Sequence, residues 1–370
     1  MAERPASALR RYSRHLLIPE VGLPGQEKLA AARVLCIGAG GLGSPVLSYL
    51  AAAGVGRLGI MDDDEIDLTN LQRQTLFTTA DIGRRKVEVA AERLHAMNPQ
   101  VAVDPIARRF DATNARELVR LYDVIVDCTD RFESRYLIND ACFLEGKPDV
   151  YGSIFRFDGQ VSVFAVAGAP CYRCLFPEPP PAHTVPTCAE GGVLGVLAGM
   201  VGTLQASETL KLILQIGAPL AGRLALIDAL QGRTREIAFK PDPACRLCSP
   251  VATIRDAVEI ELAEPAFGEM KEIDGEELDE CLRSAVLLDV REPHEAVLGV
   301  VRGAVHIPAS ELDARMHELD TAQSYVVACR AGARSRWALG RLRDAGFGKL
   351  LHLRGGLLAY AARDGEFSLF

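Results

Sequence analysis

The sequence predicts an α/β chain of two unequal domains, the larger one built on a mostly parallel nucleotide-binding sheet. Three observations predict it. Val34–Ile66 runs apolar strand, glycine turn, helix, strand, acid. Asp123–Asp130 is a second apolar run that ends in acids and a hydroxyl. A fresh series of short apolar runs, each ending in charged or reactive residues, begins near Met270. At 370 residues the chain is also too long for one typical core. The expected division is a domain over 1–250, a linker over 251–268 and a domain over 269–370.

Val34-Leu-Cys-Ile37 is short and wholly apolar, as a strand buried on both faces must be. Gly38, Gly40, Gly41 and Gly43 follow and lead into a helix over Ser44 to Ala53. Glycines let backbone approach a phosphate, and a helix start offers free N–H groups and a positive dipole end. A second strand, Arg57 to Met61, ends at Asp62, where an acid can accept from ribose hydroxyls. This fingerprint points to a nucleotide and does not separate NAD from ATP. The N-terminal stretch before it is polar and amphipathic, and Arg11 and Arg14 share a helix face. After it comes a polar, turn-like run, Asp67-Leu-Thr69-Asn70-Leu71-Gln72-Arg73-Gln74. The next helix, about Gly83 to Met97, opens on Arg84, Arg85 and Lys86. Bases are disfavoured at a helix start unless something negative lies nearby, so a polyphosphate is expected there. Strand C-termini line the ligand crevice of an open α/β sheet. Asp130 is thereby placed to hold a hard cation such as Mg²⁺, or else to cap a helix over 131–141.

A half-wet strand over Gly159–Val166 precedes Cys171-Tyr-Arg-Cys174. The Pro-rich segment Phe176–Cys188 reads as a surface loop before a glycine-rich apolar helix over Gly192–Ile216. Cys245-Arg-Leu-Cys248 closes the domain. Four thiolates in two such knuckles suit tetrahedral Zn²⁺ in a structural role, with buried thiols as the plainer alternative. Arg255–Leu282 holds eleven acids against two bases and reads as a solvated connection.

In the last domain Val286–Asp289 is a strand running into Val-Arg291-Glu292, and His306-Ile-Pro308 ends another. Tyr325–Ala328 delivers Cys329 into Arg330-Ala-Gly-Ala-Arg334-Ser335, and a helix follows over Arg336–Ala345. The N–H groups of such a loop converge on sulfur, and the helix dipole together with Arg330 and Arg334 favours the anion. This is a nucleophile's setting. Cys36, Cys128, Cys142 and Cys281 read as small core or helix residues, and His15, His95, His317 and His352 carry no functional pattern.

Composition excludes other classes. Net charge is −8 with no basic tract, which argues against nucleic acid. The N-terminus lacks an apolar signal core, and the longest apolar stretch is too short and glycine-broken to span a bilayer. Ten cysteines with paired spacing and no export signal point to a cytoplasmic enzyme.

Taken together, Gly38–Ser44, Asp62, Asn70–Gln74, Lys86, Asp127–Asp130 and both cysteine pairs resemble the MoeB/ThiF family of ubiquitin-activating-type adenylyltransferases. Asp289-Val-Arg-Glu-Pro and Cys329–Ser335 resemble the motifs of a rhodanese-like domain fused to it. The resemblance covers nearly the whole chain. It implies a Rossmann-like ATP-binding domain with a zinc knuckle and a smaller α/β rhodanese-like domain. It further implies ATP-dependent adenylation of the C-terminal glycine of a ubiquitin-like sulfur carrier ending in Gly-Gly, followed by sulfur transfer from a persulfide on Cys329. The donor would be a cysteine desulfurase or thiosulfate, and the product would serve molybdopterin, thiamine, tRNA-thiolation or cysteine synthesis.

By the same resemblance Gly38, Gly40, Gly41, Gly43, Asp62, Thr69, Asn70, Leu71, Gln72, Arg73, Lys86, Asp130 and Arg131 contact ATP. Arg73, Lys86 and Asp130 act on the phosphates, Asp130 through Mg²⁺. Arg14 reaches the ATP of the second subunit of a homodimer. Cys188 is similar to the family's second cysteine, which bonds the carrier in some relatives. Phosphatases of related architecture place five residues between cysteine and arginine, whereas four lie between Cys329 and Arg334, which favours sulfur. The alternatives are an NAD-dependent oxidoreductase, which the glycines and Asp62 also suit, and a non-catalytic carrier-binding scaffold.

Overall fold

The computed structural model describes residues 10–180, 191–260, 271–297 and 299–361. They fall into two compact units, one holding the described residues up to 179 and 191–260, the other holding 271–361.

The first unit is built on an eight-stranded sheet. Its strands are β1 (Arg33–Ile37), β2 (Arg57–Met61), β3 (Ala102–Ile106), β4 (Val124–Asp127), β5 (Asp149–Phe155), β6 (Asp158–Phe164), β7 (Arg223–Asp228) and β8 (Arg233–Ala238). Their order is β3-β2-β1-β4-β5-β6-β7-β8. The first five pair in parallel and the last three add as an antiparallel meander. The apolar run of β1 is explained by its place. Val34 and Cys36 enter the core on one face of the sheet, Leu35 and Ile37 the core on the other. That period of two buries every one of these side chains. Strand order reverses between β1 and β4, and their C-terminal ends diverge into the crevice where such sheets bind ligands.

The four longest helices of the unit among the described residues are α1 (Gly43–Ala53), α2 (Lys86–Met97), α3 (Phe132–Glu145) and α4 (Gly195–Leu214). Among these, α2 starts three residues later than the spacing predicts. Gly83 is left-handed at φ +82° and Arg85 is extended, so only Lys86 of the three bases is helical. Arg84 turns away to Glu92, 2.6 Å from it, and to Asp81. Helix α3 begins after Arg131, which occupies the cap position without a side-chain cap bond, so Asp130 is not the cap. Residues 251–260, whose composition reads as linker, lie against the first unit: Ala257 is buried, and Asp256 pairs with Arg116 at 3.1 Å. Two of the acids in that segment thus have basic partners, the second being Glu259 with Arg109.

The second unit has five strands, β9 (Glu272–Ile273), β10 (Val286–Asp289), β11 (Val305–His306), β12 (Tyr325–Ala328) and β13 (Leu350–Leu353), in the all-parallel order β11-β10-β12-β13-β9. Helix α5 (Ala333–Asp344) covers one face, where Ala338, Leu339 and Leu342 meet Leu288 and Val327. Among the described residues no helix is long and apolar enough to cross a membrane.

Candidate active site

A cleft of about 340 Å³ opens at the C-terminal ends of β1, β2 and β4. Gly38, Gly40, Gly41, Asp62, Asn70, Arg73, Lys86, Asp130 and Arg131 line it. Two glycines of the turn from β1 into α1 leave no room for a side chain. Gly38 has φ +100°, and a Cβ there would lie 2.8 Å from the Cys128 carbonyl oxygen. A Cβ on Gly43 would lie 2.1 Å from the Gly38 carbonyl oxygen, so Gly43 closes the turn from behind and does not line the cleft.

Asp62 accepts from the Ala39 N–H at 2.8 Å and the Asp64 N–H at 2.9 Å, one on each carboxylate oxygen. Burial outweighs the attraction of Lys86 and these donors and holds its carboxyl above the ordinary aspartate range. Lys86 is buried, with Nζ 2.6 Å from Asp64 and 3.9 Å from Asp62. Its charge sits at the first residue of α2, beside the positive end of the helix, a placement that suits an anion between them.

The turn over 67–73 is self-braced. Asp67 accepts from the Thr69 N–H and hydroxyl at 2.8 and 2.6 Å, Asn70 Oδ1 accepts from the Asp67 N–H, and Arg73 donates to the Thr69 carbonyl at 3.0 Å. Thr69 therefore shapes the turn. Leu71 packs on the core, and the Gln72 carbonyl lies where a Cβ on Gly195 would be, 2.2 Å away. These three do not line the cleft, and neither does the exposed Arg14. Cys188 lies outside the described residues.

The cleft also contains residues that sequence reasoning passed over: Arg108, Arg109 and Arg135. The first two follow β3, an edge strand whose Pro105 and mixed exposure hide it as a strand. Arg135, buried against Phe132 and Tyr151, lies toward Asp127. Burial raises the Asp127 carboxyl despite Arg135, and raises its neighbour Asp149 well above the ordinary range.

Cys171, Cys174, Cys245 and Cys248 converge, with all four sulfurs within 4.8 Å of one another. Sγ atoms of Cys171 and Cys245 are 3.6 Å apart, and those of Cys174 and Cys248 3.2 Å. Tetrahedral Zn²⁺ with bonds of about 2.3 Å would set its thiolates roughly 3.8 Å apart, so the cluster fits it. The first knuckle is fixed to α3 by a buried pair. Arg173 donates to both oxygens of Asp140, at 2.8 and 2.7 Å, and Asn139 accepts from the Tyr172 N–H at 2.8 Å.

In the second unit Cys329 is buried at the end of β12. Its sulfur accepts from the Gly332 N–H at 3.1 Å, and Gly332 takes φ +107° to make this possible. The loop's outward carbonyls, those of Cys329 and Arg330, accept from the Leu357 and Leu358 N–H groups at 2.9 and 3.0 Å. Arg334 does not stand beside the sulfur as a bare charge. It forms a two-bond ion pair with Glu295, which also accepts from the Glu292 N–H at 2.9 Å. Burial opposes ionisation of Glu295, and Arg334 overcomes it, leaving the carboxyl below the usual range. Beneath it, Arg291 and Asp289 form a buried pair at 2.6 Å. The Asp-Val-Arg-Glu-Pro run therefore frames the cysteine loop through Glu295, a residue its spacing did not single out.

Comparison with known proteins follows this division. The profile of the ThiF family matches residues 12–247, and that of the rhodanese-like domain matches 274–363. The chain belongs to the ThiF family. Its relatives include the probable adenylyltransferase/sulfurtransferase MoeZ of Mycobacterium tuberculosis, 44% identical over 96% of this chain and 95% of that protein. The sulfur carrier protein adenylyltransferase of Thermus thermophilus is 51% identical over 68% of this chain and 95% of its own length. The adenylyltransferase and sulfurtransferase MOCS3 of Bos taurus is 40% identical over 97% and 87%. Among solved structures, Escherichia coli MccB with N-formylated MccA shares the fold, with TM-score 0.59 at 23% identity over 66% of this chain and 77% of MccB. As a ThiF-family adenylyltransferase with a rhodanese-like sulfurtransferase domain, the chain is an enzyme, which sets aside both the oxidoreductase and the scaffold alternatives.

Proposed function

We propose that this chain adenylates the C-terminal glycine of a ubiquitin-like sulfur carrier ending in Gly-Gly and then supplies its sulfur. The observation that carries this reading is a cleft that gathers a glycine loop, Asp62, Asn70, Arg73, Lys86 and Asp130 at one end of a parallel sheet. Relatives named for sulfur-carrier adenylation and for sulfur transfer support it. ATP lies with its phosphates over Gly38, Gly40 and Gly41 and its ribose on Asp62, whose oxygens each keep a lone pair free after their backbone bonds. Asn70, Arg73 and Lys86 hold the triphosphate and the charge that develops as the carrier carboxylate attacks the α-phosphorus and pyrophosphate leaves. Arg131 flanks the same phosphates, and Arg14 serves the site of the second subunit in a homodimer.

Asp130, exposed and offering a hard carboxylate oxygen, is suited to Mg²⁺, which when bound would neutralise the leaving pyrophosphate. Residues 1–250 form the adenylating domain and 269–370 the sulfurtransferase domain. The Cys329 thiolate attacks the outer sulfur of a donor such as thiosulfate, sulfite leaves, and a persulfide remains. The terminal sulfur then attacks the acyl-adenylate and expels AMP; a second thiol, for which Cys188 is the candidate, attacks the Cys329 sulfur of the acyl disulfide, the thiocarboxylate leaves, and the disulfide that remains on Cys329 is reduced by an external dithiol. Such thiol chemistry belongs in a reducing compartment, and we place the enzyme in the cytoplasm.

The test is mass spectrometry of a Gly-Gly carrier after incubation with the protein, ATP-Mg²⁺ and thiosulfate. The expected product gains about 16 mass units, oxygen replaced by sulfur. Carriers left unchanged by folded protein would overturn the proposal.

The four-thiol cluster is proposed to hold structural Zn²⁺. Chelation of the metal, or Cys174→Ser, is expected to lower the Tm of the first unit by about 5–10 °C, because the metal ties the segment after β8 to α3. A metal content below one per chain with unchanged melting would refute it.

A further inference from the structure

Beneath Cys329 lies a buried polar chain that the reaction above does not use. The Ser335 hydroxyl oxygen is 3.5 Å from Cys329 Sγ, 2.9 Å from the Gly332 carbonyl oxygen and 3.0 Å from His352 Nε2. Ser335 is fully buried and His352 is 1% exposed. His352 Nε2 is 3.1 Å from the Gly332 carbonyl oxygen, and Nδ1 is 3.0 Å from Glu272 Oε1. A carbonyl and an ionised carboxylate only accept. Both ring nitrogens thus face obligatory acceptors, and a ring that satisfies both carries a proton on each.

The surroundings suit that charge. Glu272 on β9 is its counter-ion, and Arg336 from α5 and Arg354 beyond β13 reach the same carboxylate at 3.3 and 3.1 Å. His352, then Arg354 and Arg336, hold the Glu272 carboxyl below the usual glutamate range. The backbone N–H of His352 donates to the Lys271 carbonyl at 2.9 Å, which fixes the ring's origin. Among the described residues, Cys329 is the other titratable group in hydrogen-bond contact with this chain.

We propose that His352 is a positioning residue for sulfur transfer: as an imidazolium it donates from Nε2 to the Gly332 carbonyl and the Ser335 oxygen, and so directs the one hydroxyl proton of Ser335 to the Cys329 sulfur. When the ring loses its Nε2 proton, that nitrogen becomes an acceptor and captures the hydroxyl, and the sulfur anion loses a donor. The inference rests on the reading that Cys329 carries the transferred sulfur.

The test uses the full chain with thiosulfate as donor and cyanide as acceptor, between about pH 5.5 and 8.5. Thiolate ultraviolet absorbance, taken against Cys329→Ser as reference, is followed in parallel. Ser335→Ala is expected to lower transfer about tenfold at the acid end, and Ser335→Thr to stay within about twofold of the parent. His352→Gln is expected to lose about tenfold there and to flatten the pH profile, and in the Ser335→Ala background to change nothing further. If His352→Gln acts equally at every pH, or adds to Ser335→Ala, the positioning role is wrong. Should the glutamine variant not fold, Ser335→Ala against the parent decides: a transfer deficit that shrinks toward the alkaline end supports the proposal, and a deficit equal at every pH overturns it. Transfer that survives Cys329→Ser would instead overturn the underlying assignment of the sulfur-bearing residue.

Discussion

Lys86→Ala lowers ATP-dependent adenylation of a Gly-Gly carrier by about 10²–10³-fold, read as pyrophosphate exchange and as carrier–AMP by mass spectrometry. The expectation follows from where the ammonium is held. Lys86 is buried, its nearest carboxylate is the largely exposed Asp64, and Asp62 lies 3.9 Å away. An incoming phosphate can therefore replace Asp64 as partner without stranding a buried acid. The ammonium also adds to the positive end of α2, so both fields act on charge that grows in the transition state.

A pH signature accompanies the loss. Burial already raises the Asp62 carboxyl, and Lys86 is the main force opposing it. Removing Lys86 raises Asp62 further. A carboxyl with a raised pKa is ionised only above that pKa, so the acid limb of the residual activity moves to higher pH. Lys86→Arg keeps the charge but not the compact head, and should recover only part of the rate. Turnover unchanged in Lys86→Ala would remove the nucleotide from this cleft.

Cys329→Ser abolishes thiocarboxylate formation, at least about 10³-fold, and leaves carrier–AMP formation at the parent rate. A serine oxygen fits the Gly332 N–H and is a far weaker nucleophile, and it cannot carry a sulfane sulfur. The split between the two activities is expected because each unit has its own core. Val34, Leu58 and Val126 pack in the first, and Leu288, Val327 and Leu342 in the second. Cys329 packs with Val327 and Leu342 in the second unit's own core. Thiocarboxylate formed by the serine variant would show that sulfur arrives by another residue.

Much of this was readable in the chain because it is local. The run Val34–Ile37, the glycines after it and Asp62 lie within one βαβ unit, where spacing alone dictates neighbours. Cys329 and its loop are likewise contiguous. The paired spacing of the four cysteines announced their meeting across seventy-four residues. What stayed hidden depends on contacts between distant segments. Glu272 and His352 are eighty residues apart and meet only because β9 pairs with β13. Arg108 and Arg109 reach the cleft from an edge strand whose proline disguises it. Sequence also overstated some residues. Arg84 and Arg85 precede α2, and the bond of Arg84 goes to Glu92, so the three-base helix start reduces to Lys86. Thr69, Leu71 and Gln72 share a motif with Asn70 and Arg73, yet they shape the turn from behind.

The strand order of the second unit sets when it can be finished during synthesis. Strand β9 emerges first and is paired last, by β13 at Leu350–Leu353. A nascent chain that has already made β10, β12 and the cysteine loop still lacks the edge that supports them, and carries β9 unpaired. Premature termination between the cysteine loop and Leu350 would leave Cys329 in place, without its imidazole and without a closed sheet. The first unit has by then received all its strands, with β8 ending at Ala238. Ribosome-stalled intermediates should accordingly acquire protease resistance in two steps, the second only after residue 353 clears the exit tunnel.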